Sequence, residues 1–198
     1  MADVAANLAA IREEVGEGVR ILAAVKYAED ITPLVEGGVT VVGENRAQEL
    51  ERKHGQYPDL EWHFIGHLQS RKVKQVLPLV KWIHSVASDS ALEQLGRHGT
   101  NETEVLIEVN IAGEEGKSGI APVDLPAFLE RCPVTVVGLM TMPPAVDDPE
   151  DNRRWFAALR ELAERHGLPE LSMGTSQDYA VAAQEGATIV RVGTRLYR

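Results

Sequence analysis

A chain of 198 residues, 44% of them hydrophobic and 25% charged, is long enough to form one domain with a substantial core. Its formal net charge of −10 disfavours binding to nucleic acid and to anionic membrane surfaces. The single cysteine, Cys132, excludes an internal disulfide and a cysteine-rich zinc site, as is typical of proteins from a reducing cytoplasm. With neither a signal-peptide pattern nor a membrane-spanning apolar run, the sequence predicts a soluble cytoplasmic protein.

Short apolar runs rich in β-branched residues alternate with amphipathic stretches along the chain, as they do in parallel α/β proteins. A leading helix is predicted at 3–15. The predicted strands are RILAAVK (20–26), VTVVGE (39–44), LEWHFIG (60–66), KWIHSV (81–86), EVLIEVN (104–110), VTVVGLM (134–140), ELSMG (170–174) and ATIVRVG (187–193). The predicted helices between them lie at 30–37, 44–54, 70–78, 88–98, 123–131, 149–166 and 176–185, two of them with Ser88 and Ser176 as N-caps.

Eight strands separated by helices match the α/β architecture of a (β/α)8 barrel, the TIM barrel. An extra N-terminal helix precedes the first strand and is expected to fill the place of a final helix, because the sequence ends shortly after strand eight. The alternative on pattern alone is a doubly wound open sheet. We interpret residues 1–198 as a single domain, with the Pro/Gly/Asp-rich segment 141–151 as a loop.

In such a barrel, the residues that follow the C-terminal strand ends converge on one mouth, where binding sites are built. The loops after strands seven and eight commonly bind phosphate. Here they read MGTSQD and VGT, which supply glycines and hydroxyl groups. Each is ordinary turn and cap chemistry by itself, but their joint occurrence at these two strand ends favours a phosphate site. The remaining strand ends are Lys26, Glu44-Asn45, Gly66-His67, His84-Ser85, Asn110 and Met140.

The first predicted strand is apolar up to Lys26, with which it ends. Burial disfavours the ammonium form of lysine, so a buried amine becomes available as a nucleophile that forms a Schiff base with a carbonyl. Pyridoxal 5′-phosphate would satisfy both the amine and the phosphate site. The alternative is a lysine whose amine simply reaches water.

Arg191 interrupts the apolar strand TIVRV, and a buried arginine must be paired or face a cavity. Facing the pyridine nitrogen of the cofactor, its guanidinium would keep that nitrogen unprotonated and weaken the electron sink. A structural ion pair with a carboxylate is the alternative.

Together, AAVKYA, GENRAQEL, WHFIGHLQSRKVK, IHSVAS, EVNIAGEEGKSGI, GLMTMPP and LSMGTSQDYAVAAQEGATIVRVGT resemble the pyridoxal phosphate homeostasis protein family, whose barrel is similar to the N-terminal domain of alanine racemase. The resemblance covers nearly the whole chain. It implies that Lys26 carries pyridoxal 5′-phosphate as an internal aldimine and that Asn45 lies near the polar edge of the ring. It further implies that Ser172, Met173, Ser176, Gly193 and Thr194 form the phosphate-binding segments and that Arg191 faces the pyridine nitrogen.

Three residues depart from the family pattern. Val25 stands where serine or threonine is common, Thr175 replaces the second methionine of SMGMS, and the closing aromatic position holds Tyr197 in GTRLYR. None removes a cofactor contact, although Val25 and Thr175 affect the shape of the pocket.

Two functions fit these features. In the first, the protein has no catalytic residues: it carries or buffers pyridoxal 5′-phosphate, a role in homeostasis of the cofactor, and passes it to dependent apoenzymes. In the second, it is an amino-acid racemase or a Schiff-base aldolase. A racemase needs an acid or base on each face of the substrate, and its second one comes from a C-terminal domain that this sequence lacks. An aldolase needs a carboxylate or second lysine near Lys26, for which Glu44 is the candidate. We favour the carrier, as a monomer.

Two other features carry less weight. His63 and His67 are four residues apart but on a strand and its exit loop, without the glutamate of a zinc motif, so no metal is expected. The basic cluster at 70–74 is a solvated helix face or a contact for an anionic partner, and the sequence does not decide between these roles.

Overall fold

All eight predicted strands form, and they close into a parallel barrel in the computed structural model, which describes residues 3–197. Each strand pairs with the next along the chain and β8 pairs with β1, so the predicted (β/α)8 barrel is confirmed and the open sheet is excluded. The strands are β1 (Arg20–Ala24), β2 (Val41–Glu44), β3 (Glu61–Phe64), β4 (Trp82–Val86), β5 (Glu104–Glu108), β6 (Thr135–Met140), β7 (Glu170–Thr175) and β8 (Ile189–Val192).

The helices surround the barrel on its outside. They are α1 (Val4–Val15), α2 (Thr32–Glu36), α3 (Ala47–Gln56), α4 (Val73–Val76), α5 (Asp89–His98), α6 (Leu125–Arg131), α7 (Arg153–Arg165) and α8 (Tyr179–Gln184). The leading helix α1 packs against α2 and α8, so it closes the ring of helices as the sequence predicts. No helix within residues 3–197 is both long and apolar enough to cross a membrane.

Side chains alternate between the two faces of each strand, which divides the core in two. Leu22 points into the barrel, where it packs with a small apolar cluster, whereas Ala23 belongs to the larger cluster between barrel and helices. The interior cluster consists of Leu22, Trp82, Leu106, Met140 and Ile189. Because this cluster fills only part of the interior, other inward positions are free to hold polar side chains.

Several predicted helices were too long. The helix predicted at 70–78 is a short α4 with 3₁₀ turns on either side, and Pro78, which supplies no backbone N–H to continue the helix, lies in the second of these turns. The helix predicted at 176–185 begins only at Tyr179, so Ser176 is not its N-cap. Ser88 does cap α5, where its Oγ accepts a hydrogen bond from the Ala91 N–H.

Candidate functional site

A cavity of about 590 Å³ opens at the C-terminal mouth of the barrel. Of the predicted cofactor residues, Lys26, Asn45, Ser176, Arg191, Gly193 and Thr194 line it, whereas Ser172 and Met173 do not. The structure therefore brings together residues from the ends of β1, β2, β7 and β8. The remaining wall is formed by Ala24, Tyr27, Ala28, Ile65, Gly66, His67, Glu108, Ser118, Met140, Met142, Thr175, Gln177 and Tyr197.

Lys26 lies in a turn beyond β1 and is exposed, so the expectation of a buried amine was wrong. Ala24 is the last residue of β1 in register with β2, opposite Gly43. The chain then turns at Lys26 and Tyr27. Lys26 Nζ lies 4.8 Å from the centre of the Tyr27 ring, within the range of a cation–π contact. The amine is thus accessible to a ligand in the cavity, but the protein alone does not exclude water from it.

A buried ion pair supports the backbone beside Lys26. Lys53 Nζ on α3 lies 2.5 Å from Glu44 Oε2 and donates a 2.6 Å hydrogen bond to the carbonyl oxygen of Val25. Glu44 and Lys53 are 0% and 1% exposed, respectively. Glu44 Oε1 also accepts a 2.6 Å hydrogen bond from the Asn45 N–H. One ion pair therefore fixes the two backbone segments that present Lys26 and Asn45.

Glu44 itself does not line the cavity, so it is not available as the carboxylate that the aldolase alternative required, although Glu108 is a carboxylate that does line it. The sequence analysis missed Lys53. The sequence feature that could have identified it is the spacing of Ala47, Leu50 and Lys53, which places the lysine on the buried face of α3.

Ser176 joins the two predicted phosphate loops. Its Oγ accepts a 3.0 Å hydrogen bond from the Gly193 N–H and a longer one, 3.4 Å, from the Arg195 N–H. The hydroxyl hydrogen of Ser176 remains available for an anion in the cavity, and the exposed Thr194 lies on the same wall. Helix α8 contributes little to this site, because it is only six residues long and begins three residues later.

Asp178, which the sequence analysis also missed, shapes the loop after β7. Its Oδ1 accepts hydrogen bonds from the Thr175 N–H (2.7 Å) and Thr175 Oγ1 (3.0 Å), and its Oδ2 accepts one from Asn152 Nδ2 (2.9 Å). These bonds hold residues 175–178 in a turn ahead of α8. Thr175, the departure from SMGMS, is therefore used to stabilise this turn.

Gly174 allows β7 to enter that turn, and we expect Gly174→Ala to reduce the free energy of unfolding by about 2 kcal/mol. Its φ is +89°, and an added Cβ would lie 2.5 Å from the Cβ of Ala182. Gly167→Ala is the matched control, because φ is +65° there and nothing lies within 4 Å of the added Cβ. It should lose only about 1 kcal/mol in urea unfolding. Equal losses in both variants would contradict the close approach at Gly174.

Arg191 lies inside the barrel and is 5% exposed. Its Nη1 donates to the carbonyl oxygen (2.6 Å) and Oγ (2.7 Å) of Ser172. Its Nη2 donates to the carbonyl oxygen of Thr141 (2.8 Å) and to Met142 Sδ (2.9 Å). None of these acceptors is a carboxylate, so the alternative of a structural ion pair was wrong. The Nε–H is the donor for which residues 3–197 supply no acceptor, and it is therefore the one left for a ligand.

Burial lowers the pKa of Arg191 to about 10, an effect that Asp178 and Glu108 oppose. The side chain therefore remains a cation at neutral pH. Glu108 lines the cavity and its carboxylate hydrogen-bonds to Ser118 Oγ. The sequence analysis missed Glu108 because it placed the end of strand five at Asn110, two residues beyond the observed end.

Ser172 and Met173, which the family resemblance placed in the phosphate-binding segments, do not line the cavity. Both are 0% exposed. Ser172 points into the barrel and bonds to Arg191 and His84, whereas Met173 belongs to the cluster between barrel and helices. Adjacent residues of a strand point to opposite faces, so these two side chains were never able to share one wall.

Tyr197 adds a further group to the cavity wall. Its hydroxyl is buried and has no hydrogen-bond partner among the described residues. Burial raises the pKa of Tyr197 to about 12, and the nearby Glu44 adds to the increase. The phenol therefore stays protonated at neutral pH and is an unused hydrogen-bond donor.

The two histidines considered for zinc do not share a site. His63 is buried inside the barrel, whereas His67 is exposed and lines the cavity. No group of three or more histidine, cysteine or acidic side chains within residues 3–197 is arranged to hold a metal ion. In the basic cluster, Arg71 is exposed and its Nε donates to Gln69, as expected of a solvated face.

Comparisons with known proteins agree with this geometry. The family described as alanine racemase, N-terminal domain, matches residues 1–198. The pyridoxal phosphate homeostasis protein of Aquifex aeolicus is 45% identical over 175 residues, which are 81% of this chain and 77% of that protein. The pyridoxal phosphate homeostasis protein of Pseudomonas aeruginosa is 36% identical over an alignment of 200 positions, gaps included, that covers 96% of this chain and 87% of the relative.

Solved structures are similar over nearly the whole chain. PipY of Synechococcus elongatus PCC7942, with PLP bound, is 32% identical and has a TM-score of 0.84, covering 98% of this chain and 100% of PipY. Alanine racemase from Corynebacterium glutamicum is 16% identical with a TM-score of 0.79; the match covers 98% of this chain and 60% of the racemase, and shows a shared fold. This chain therefore belongs to the pyridoxal phosphate homeostasis protein family and has the barrel fold of the alanine racemase N-terminal domain.

Proposed function

We propose that this protein binds pyridoxal 5′-phosphate as a Schiff base on Lys26 and carries or buffers the cofactor. The observation that carries the proposal is that Lys26 lines the same cavity as Ser176 and Thr194. A primary amine captures an aldehyde by forming a carbon–nitrogen double bond with loss of one water molecule. Hydroxyl groups on the loops after β7 and β8 would bind the phosphate of the same molecule.

The cavity fits such a ligand in size and in its unused donors. A volume of about 590 Å³ lies within the range of small-molecule sites, about 300–1,000 Å³. The Nε–H of Arg191 lacks an acceptor among residues 3–197, and Tyr197, whose buried hydroxyl also lacks one, lines the cavity. Asn45 would lie at the polar edge of the ring, and Gly193 with Ser176 and Thr194 at the phosphate. When bound, the cofactor would supply an electrophilic aldehyde and a conjugated ring.

Arg191 supports a carrier more than an enzyme. Its cationic guanidinium, if placed at the pyridine nitrogen, would disfavour protonation of that nitrogen and so weaken stabilisation of a carbanion. The family relatives are named for homeostasis of the cofactor. We extend the proposal to a monomer in the cytoplasm that transfers pyridoxal 5′-phosphate to dependent apoenzymes, a role consistent with an exposed Lys26 that a recipient can reach.

The proposal is tested by mixing the purified protein with pyridoxal 5′-phosphate and recording its visible absorption before and after borohydride. We expect a yellow band that borohydride removes, because reduction converts the carbon–nitrogen double bond to a stable amine. Peptide mass mapping should then place the added mass on Lys26.

Two outcomes would contradict the proposal. Added mass spread over surface lysines would show that the cavity does not direct capture. Racemisation of alanine by the loaded protein at about 1 per second or faster would show an ordinary enzyme instead of a carrier.

A further inference from the structure

A row of polar side chains crosses the barrel interior beneath the cavity. Glu61 Oε1 lies 2.9 Å from His63 Nε2, and His63 Nδ1 lies 2.7 Å from His84 Nε2. His84 Nδ1 lies 2.8 Å from Ser172 Oγ, which accepts a 2.7 Å hydrogen bond from Arg191 Nη1. These five residues, which we call the polar row, connect the start of β3 with the cavity wall through β4, β7 and β8.

The two histidines of the polar row are neutral at pH 7. Burial lowers the pKa of His63, although the hydrogen bond with Glu61 opposes the change. Burial also sets the pKa of His84 well below the usual value, and the charge of Arg191 adds to that effect. A neutral imidazole has one N–H donor and one acceptor nitrogen, so each histidine can pass a hydrogen bond along the row in only one sense at a time.

The ends of the polar row determine that sense. The Glu61 carboxylate only accepts, so His63 must donate from Nε2, which makes its Nδ1 an acceptor. His84 must then donate from Nε2 and accept at Nδ1, and Ser172 must donate its hydroxyl hydrogen to His84. The Ser172 oxygen is consequently turned to accept from Arg191, which only donates. In the reverse sense, His63 Nε2 would carry no hydrogen, and two acceptors, this nitrogen and the Glu61 carboxylate, would face each other.

We propose that His63, His84 and Ser172 are positioning residues whose single hydrogen-bond sense, imposed by Glu61, holds the Arg191 guanidinium with its Nε–H available to the ligand. Aligned bonds of this kind strengthen one another in a low-dielectric interior. The part of this inference that concerns the ligand rests on the proposed function; the part that concerns the ordering of the free protein does not.

A buried polar cluster that merely satisfies its own hydrogen bonds would not affect one part of a ligand selectively. The first measurement, of the hydrogen-bond sense itself, is nitrogen NMR on the ligand-free protein at pH 7. We expect His63 and His84 both in the neutral Nε2–H tautomer, with resolved Arg191 Nη–H signals. Glu61→Gln should give His63 mixed tautomers, because an amide can either donate or accept. Ser172→Ala should leave the tautomers but shift the Arg191 Nη1–H signals, because Nη1 loses its bond to Ser172 Oγ and keeps only the one to the Ser172 carbonyl oxygen.

The second measurement compares two ligands, pyridoxal 5′-phosphate and glycerol 3-phosphate, which lacks the ring. Ser172→Ala should weaken binding of pyridoxal 5′-phosphate about tenfold and change the affinity for glycerol 3-phosphate by no more than about twofold, because the Arg191 Nε–H would contact only the ring. Ser85→Ala removes another buried serine hydroxyl, one bonded to the Gly66 carbonyl, and should preserve the ratio of the two affinities.

An Nδ1–H tautomer or a protonated ring at His63 or His84 would overturn the inference. Unchanged Arg191 signals in Ser172→Ala, or an equal loss of affinity for both ligands, would also overturn it. If the wild type bound no pyridoxal 5′-phosphate while the tautomers and Arg191 signals behaved as expected, the proposed function would fail and the ordering of Arg191 by the polar row would stand.

Discussion

Replacing Lys26 with arginine is expected to abolish covalent capture of pyridoxal 5′-phosphate. Arginine keeps the positive charge at the mouth but remains protonated in proteins, so it offers no free amine to attack the aldehyde. The hydroxyl groups of Ser176 and Thr194, which we propose to bind the phosphate, are untouched by the change. After borohydride treatment we expect mass addition to fall from near-stoichiometric to the background of surface lysines, with weak reversible binding retained.

The matched control for this experiment is Lys117→Arg. Lys117 is also exposed and lines the neighbouring cavity beside the loop that follows β6, but it does not line the cavity of Lys26. Capture at Lys26 should be unchanged in this variant. If Lys26→Arg instead gained mass as fully as the wild type, on whichever lysine, the assignment of Lys26 as the cofactor-bearing residue would be wrong.

The fold was predictable because each strand is short, apolar and bounded by polar residues, so the local sequence indicates the alternation of strands and helices. Six of the eight predicted cofactor residues line one cavity for a related reason: parallel strands bring their C-terminal ends to one mouth whatever the details of packing. The exposure of Lys26, which the sequence analysis left as the alternative, depends on where β1 stops pairing with β2.

The interior of the barrel was the least predictable part. His63 and His84 each stand in an apolar strand, and this is itself a signal, since buried polar groups require partners. Which partners they find depends on the register between β3 and β4 and on which residue of β7 meets His84 inside the barrel, and no local pattern contains either. The opposite directions of the Ser172 and Met173 side chains were predictable, because adjacent residues of a strand point to opposite faces. The family resemblance identified Ser172 and Met173, but only the three-dimensional structure distinguishes residues that line the cavity from residues buried below it.

The buried pair of Lys53 and Glu44 leads to the second large expected effect. Lys53→Met should lower the free energy of unfolding by about 3–5 kcal/mol, because it leaves the Glu44 carboxylate buried without its cation. It also removes the donor to the Val25 carbonyl oxygen, so the Lys26 turn should become more mobile. Urea unfolding at pH 7 measures the first effect, and the rate of borohydride-trapped capture at Lys26 measures the second, which should fall.

Two further variants separate loss of the ion pair from loss of packing. Adding Glu44→Gln to Lys53→Met removes the uncompensated charge while keeping an acceptor for the Asn45 N–H, so the double variant should be more stable than the single one. Arg52→Met breaks the neighbouring exposed pair with Glu49 and should lose no more than about 1 kcal/mol. If the double variant were less stable than Lys53→Met alone, the cost would lie in the lost hydrogen bonds and side-chain packing, and charge pairing would not be what holds the Lys26 turn in place.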